Sequence, residues 1–228
     1  MAEQKSRKRL DQRAVVSEAI AFADEEGLEA VSMRALAARL GVVPMALYRH
    51  VADKDDLLGR MIDQIIEGYM APPAGGTWRE RVRFRVMNAQ AEILAHPWLG
   101  GAIGSAKRRT EAVLAHMNAV SGEFIDGGVS PGLTHYAMHA LGNRMWGYST
   151  EAFEDADAPT PKDVDQPDVA QYMTQNFPHV VAIAMDSVAR NPTGSCDRQT
   201  EFEFTLDLLL DSFERLHEAG WVSRPLRS

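Results

Sequence analysis

Residues 32–63 read SMRALAARLGVVPMALYRHVADKDDLLGRMID, and the fold turns on this stretch. Ser32 is a residue whose hydroxyl caps helix N-termini. Met33, Leu36, Ala37 and Leu40 then recur at three- and four-residue intervals, one apolar stripe of a helix. Leu40-Gly41-Val42 stops that helix after about eight residues. Pro44 suits the first turn of a new helix, where its missing N–H had no partner anyway. Spanning residues 44–50, this helix is too short to persist alone in water, so its neighbours must hold it. Two short helices joined by a brief turn containing glycine form the helix-turn-helix pattern, in which the second helix lies in the major groove of DNA. Ala37 permits close approach, Leu47 fills the space between, and Met45, Ala46, Tyr48, Arg49 and His50 are left outward. Asp53 caps a further helix, with Asp55 and Asp56 in its first turn where carboxylates suit the helix dipole. Lys54 stands at that same terminus, where free N–H groups and an ammonium can hold a phosphate.

Upstream, Val16, Ala19, Ile20 and Ala23 mark a helix from about Gln12 to Glu26, ended by Gly27. With it the head becomes a three-helix unit. Residues 1–60 hold ten Lys/Arg and ten Asp/Glu, so the excess of negative charge in the chain, −8 in all, lies in residues 61–228. Lys5, Arg7, Lys8 and Arg9 form a basic arm on this neutral head, an asymmetry compatible with DNA binding at one end.

The stretch 32–63 resembles the DNA-binding domain of the tetracycline repressor (TetR) family of bacterial transcription regulators. The likeness rests on Leu36-Ala37 before Leu40-Gly41-Val42, then Ala46-Leu47-Tyr48-Arg49-His50-Val51, then Lys54 and Leu57-Leu58. The resemblance implies that Arg34 contacts backbone phosphate and that Pro44, Met45 and Ala46 face base edges. It gives Tyr48, His50 and Lys54 phosphate contacts, and lets Arg49 reach a phosphate or a guanine edge. Where many members carry polar side chains, Met45 and Ala46 offer only apolar contact, for instance with a thymine methyl.

Downstream, the head helix continues through Ile62, Ile65, Ile66 and Tyr69 to the linker Pro72-Pro73-Ala74-Gly75-Gly76. We expect a head over residues 1–62 and a second helical domain over 63–228, an all-α chain throughout. Thr77 and Glu80 spell a capping box for the next helix, which His96-Pro97-Trp98 breaks. Trp78, Val82, Val86 and Ile93 face inward on it, while Arg79, Arg81, Arg83 and Arg85 are expected to be mostly solvated. Further helices are expected over residues 107–126, 131–153, 169–190 (interrupted near Pro178) and 199–219. Residues 154–168 hold three prolines and six acids against Lys162, an exposed loop. On the last helix Phe202, Leu206, Leu209, Phe213 and Leu216 form a stripe that Phe204, Leu208 and Leu210 widen, so it must bury two sides. On 131–153 Met138, Leu141, Met145 and Tyr148 form one stripe, and small Ala137, Ala140 and Gly147 another. Helices 131–153 and 199–219 from each of two chains would make a four-helix bundle across a two-fold axis, as in the regulators resembled.

Trp78-Arg79-Glu80, Ala95-His96-Pro97-Trp98-Leu99 and the Phe202–Phe213 pattern are similar to the C-terminal domain of the tetracycline-repressor branch. Such domains hold a small effector among their helices. The corresponding lining here is Met70, Arg85, Asn88, Ile103, His135, Met138, Gly142 and Trp146, apolar walls with a few polar anchors that suit an organic ligand. The drug-contacting histidine of tetracycline repressors is absent near Met70, and their magnesium-binding one from Gly101-Ala102-Ile103-Gly104, which argues against a magnesium–tetracycline effector.

Several classes are excluded from residue content. A single Cys196 forms no internal disulfide and no cysteine-built zinc site. No apolar run reaches the roughly 18 residues of a membrane span, and the basic N-terminus lacks an apolar stretch behind it, so a cytoplasmic location is expected. No GxGxxG, GxxxxGK[ST] or GxSxG string occurs, so no catalytic residues and no cofactor are expected. His135 and His139 have the spacing of two ligands to one metal, but no Glu follows His135 as in HExxH, and His96 or His116 would have to approach by chance. No metal site is expected. The reading is a homodimeric DNA-binding regulator, a repressor released from a palindromic double-stranded operator by a small organic effector. Its alternatives are an activator or effector-independent regulator, and a helical module that sequesters a small molecule without touching DNA.

Overall fold

The computed structural model describes residues 10–106, 109–146, 167–190 and 198–223. The expected basic arm, most of the acidic loop, Cys196 and the side chain of Trp146 lie outside the described residues. The chain forms α1 (Gln12–Glu26), α2 (Met33–Arg39), α3 (Pro44–Leu47), α4 (Lys54–Glu67), α5 (Trp78–Ala95), α6 (Leu99–Ser105), α7 (Glu111–Asp126), α8 (Pro131–Trp146), α9 (Pro167–Asn176), α10 (Pro178–Arg190) and α11 (Arg198–Glu218). A single 3-10 turn, Leu28–Ala30, joins α1 to α2, and no strand occurs among the described residues.

The caps read from side-chain chemistry are formed. Ser32, Asp53 and Thr77 accept from the Ala35, Asp56 and Glu80 N–H groups, and Glu80 returns the bond to complete the box; Asp11, not among the expected caps, accepts from Ala14 N–H. Several boundaries differ from the pattern, among them α4, which ends at Glu67 rather than running through Tyr69. α3 ends at Leu47, with residues 48–50 as a turn closed by His50 N–H to Leu47 O at 2.8 Å. α6 was not expected, because three of its seven residues are glycines with poor helix propensity. It is held by burying Leu99 and Ala102 completely or nearly so. The helix expected from residue 107 begins at Glu111, where the Thr110 hydroxyl caps it.

Two apolar cores result. The first joins Val15, Val16, Ala19 and Ile20 of α1, Leu36 and Ala37 of α2, Leu47, and Leu57, Met61, Ile62, Ile65 and Ile66 of α4 with Leu99 and Ala102 of α6. The second joins Val82 and Val86 of α5, Val120 and Phe124 of α7, Leu133, Ala137 and Leu141 of α8, and Phe202, Leu206, Leu210 and Phe213 of α11. α4 runs unbroken through residue 62 and packs against α1, α6 and α7, so it belongs to the head and also touches the body. Asp24 at the end of α1 ties the two together: its Oδ1 lies 2.8 Å from His96 Nδ1 and accepts from Trp98 Nε1 at 2.7 Å.

The α5 arginines are not solvated as expected. Arg81 and Arg85 both hold Glu123 of α7, at 2.5 and 2.7 Å, and that carboxylate is only 6% exposed. Arg83 reaches Glu203 and Asp207 of α11, and Arg79 pairs with Asp211. Burial alone would raise the Glu123 carboxyl, but the two guanidiniums outweigh it and hold it below the usual carboxylate range. The sequence periodicity put these arginines outside the apolar stripe correctly; it could not show that acidic faces of α7 and α11 wait there.

Candidate functional site

Leu47 anchors α3, its side chain fully buried in the core that α1, α2 and α4 share. Gly41 adopts φ +67°, the left-handed geometry that turns α2 into α3 at little cost for a residue without Cβ. Gln12 Nε2 donates to His50 O at 2.7 Å, pinning the turn that follows α3 to the start of α1.

With Leu47 inward, the opposite side of α3 is bare. Met45 is 71% exposed, so it does not pack on α2. Pro44, Tyr48, Arg49, Lys54 and Arg34 are exposed too, while Ala46 and His50 are half-buried. Among the described residues, no ion pair engages Arg34, Arg49 or Lys54. Arg39, by contrast, is held by Glu18 and Glu25, and Arg60 by Asp56. Among the described cations of the head, Arg39 and Arg60 are thus structural, while Arg34, Arg49 and Lys54, like Arg13 on α1, are exposed. Val43, the exposed apolar residue beside Pro44, joins this surface and was passed over in the sequence because it lies in the turn.

A second polar cluster lies where the end of α4 meets α5 and α7. Asn88 Oδ1 accepts from Met70 N–H at 2.7 Å, fixing the chain as it leaves α4. The Tyr69 ring meets His116 of α7 edge to face at 5.0 Å, and its buried hydroxyl has no hydrogen-bond partner among the described residues. Burial, with Glu92 nearby, pushes the Tyr69 phenol far up, so it stays a neutral donor. Burial and then the Arg85 charge push His116 down to about 4, so its imidazole is neutral. The Tyr69 hydroxyl thus lies on a ring packed against a neutral imidazole, in a region where Arg85 is held by Glu123 and Asn88 by Met70 N–H.

The sequence-expected lining is divided between places. Arg85 and Asn88 belong to this cluster. Met70 is largely exposed, and Ile103 is half-buried against the first core. Met138 packs on the second core, and Gly142 is half-buried. His135 is exposed on the outer side of α8, because Leu133, Ala137 and Leu141 take the inner side at four-residue spacing and leave residue 135 opposite. Tyr69 and His116 were missed; the available signal was a hydroxyl and an imidazole lying in line with the apolar stripes of their helices.

Residues 15–61 match the family model of bacterial regulatory proteins of the tetR family, and residues 71–216 that of the tetracyclin repressor-like C-terminal domain. The chain belongs to the TetR family. TetR-family regulators are DNA-binding transcription factors, not enzymes. The HTH-type transcriptional repressor DrrR1 of Streptomyces coeruleorubidus is 40% identical over 87 residues, 37% of this chain and 32% of that protein. The chain thus aligns with about a third of that relative's length. Tetracycline repressor protein class G of Vibrio anguillarum is 25% identical over 215 residues, 92% of this chain and 97% of that one. The TetR family protein ActR of Streptomyces coelicolor, solved in complex with (S)-DNPA, is 25% identical with a TM-score of 0.64, covering 91% of this chain and 98% of that chain.

Proposed function

We propose that this TetR-family chain is a homodimeric repressor that binds a palindromic operator and leaves it when a small organic effector occupies the region between α4, α5 and α7. The observation that carries the DNA half is the surface opposite Leu47, where Arg34, Arg49 and Lys54 face outward beside Met45 and Tyr48. Phosphate contacts from Arg34, Tyr48, His50 and Lys54 position the head, while Arg49, with Val43, Met45 and Ala46 at thymine methyls, reads bases.

The orphaned Tyr69 hydroxyl supports the effector half. Tyr69 follows directly on α4, so a ligand that accepts its hydrogen bond acts on the helix that carries the head. Such a ligand shifts the protein between head spacings only by its difference in affinity for the two states. An organic molecule with a carbonyl or phenolate oxygen meets the Tyr69 donor; the similar protein ActR is solved in complex with a small molecule, (S)-DNPA.

Selection from random duplex DNA, with sequencing of the bound pool, tests this reading. A palindrome with half-sites about one helical turn apart is expected. Folded protein that enriches no sequence would favour the sequestering module instead.

A further inference from the structure

The proposed effector cluster and the DNA surface leave one pair of side chains unused. His135 and His139 stand one turn apart on α8, both exposed, with ring centroids 4.6 Å apart. They lie opposite the buried stripe Leu133, Ala137 and Leu141. On α11, which packs along α8, Phe204 and Leu208 likewise project from the side opposite Phe202, Leu206 and Leu210, and are 65% and 49% exposed. α8 and α11 thus each turn a side away from their shared core, the one carrying two imidazoles and the other large apolar side chains. Tyr136 packs edge-on between His135 and Trp221, at 5.6 and 5.5 Å, and walls one flank of the pair.

Imidazoles at i and i+4 on one helix can converge on a single ion. Zinc takes four ligands in a tetrahedron when its role is structural, and imidazole nitrogen suits it. Among the described residues, no third metal-binding side chain joins this pair within the chain. A two-fold interface changes that arithmetic, because a residue beside the axis meets its own counterpart.

We propose that His135 and His139 are half of a zinc site, completed by the same two side chains of a second copy across the dimer axis. The proposal rests on the dimeric reading above and on α8 and α11 forming the shared face. Four imidazoles then surround the ion, with Tyr136 of each copy packed beside its own His135. The site clamps the two bodies together, so metal occupancy sets how firmly the two heads are held relative to each other.

The test is calorimetric titration of EDTA-stripped, full-length protein with zinc chloride, with particle mass followed by light scattering. We expect one zinc per two chains, affinity reduced about tenfold or more by H139A, and no detectable uptake by the H135A/H139A double variant. H179A, altered on α10, should bind as the unaltered protein does. A dimer that takes up no zinc, one zinc per chain, or uptake that survives the double substitution overturns the site while leaving the dimer intact. A monomer with and without zinc overturns the dimeric reading and the site together.

Discussion

Replacing Tyr69 by Phe separates stability from ligand response. Its buried hydroxyl has no partner among the described residues, so removing it relieves a desolvated donor and should leave stability unchanged or raise it by up to about 1 kcal/mol. The same substitution should weaken effector-driven release of DNA, read by operator binding with and without ligand. Loss of folding instead would mean the hydroxyl is structural. His116 makes a pH prediction. Its imidazole titrates near 6.5 when unfolded but is pushed down to about 4 in the fold. Because the folded value is depressed, the stability linked to it is full above pH 6.5 and drains away as pH falls toward 4, the unfolded chain taking up the proton first. The loss is at most about 3 kcal/mol, and His116→Gln should flatten it in urea unfolding at pH 7.5 against pH 5. On the head, Lys54→Ala should weaken binding to all DNA alike, whereas Arg49→Ala should also relax one base position. If both leave selected DNA bound as before, the surface opposite Leu47 is not the one that reads it.

At the scale of elements, α5 and the end of α7 approach closely. A Cβ on Gly127 would stand 2.7 Å from Trp78 Cγ, closer than real atoms approach, although the backbone there is unstrained. Gly127→Ala should therefore cost about 1–3 kcal/mol through overpacking, visible as a lowered urea midpoint. The helices whose signals are local were legible in the sequence. α2, α4 and α5 begin just after Ser32, Asp53 and Thr77 because those side chains carry their own caps, and the stripes of α4 and α11 show which face is buried. α6 was not legible, since Leu-Gly-Gly-Ala-Ile-Gly-Ser becomes helical only by seating Leu99 and Ala102 in a core built mostly by residues 15–66. The same holds for Arg81 and Arg85, whose shared partner Glu123 is about forty residues away. Of the candidate site, the outward residues of α3 could be read from one helix alone. The Tyr69–His116 cluster needed three helices to meet.

For the whole molecule, charge is placed to match the proposed task. The body carries the negative excess and should repel DNA, leaving the neutral head with its exposed cations as the approach surface. Operator affinity should fall steeply with salt, with a slope in log K of about −0.9 per phosphate neutralised, and Lys54→Ala should reduce that slope by about one. Salt-independent binding would point away from phosphate contacts. Geometry gives the proposed switch its gain. α4 spans 14 residues, about 21 Å, so a swing of about 5° at its body end displaces the head by about 2 Å.

That Leu99 and Ala102 complete the head's core also bears on how such a protein can be taken apart. The head is not a detachable cassette. A fragment ending in the linker at residues 72–76 would lack two apolar plugs and the Asp24 tie to His96 and Trp98, exposing the flank of α4 to water. A chimera with another body would keep its head folded only if that body supplied a short helix of matching shape at this position.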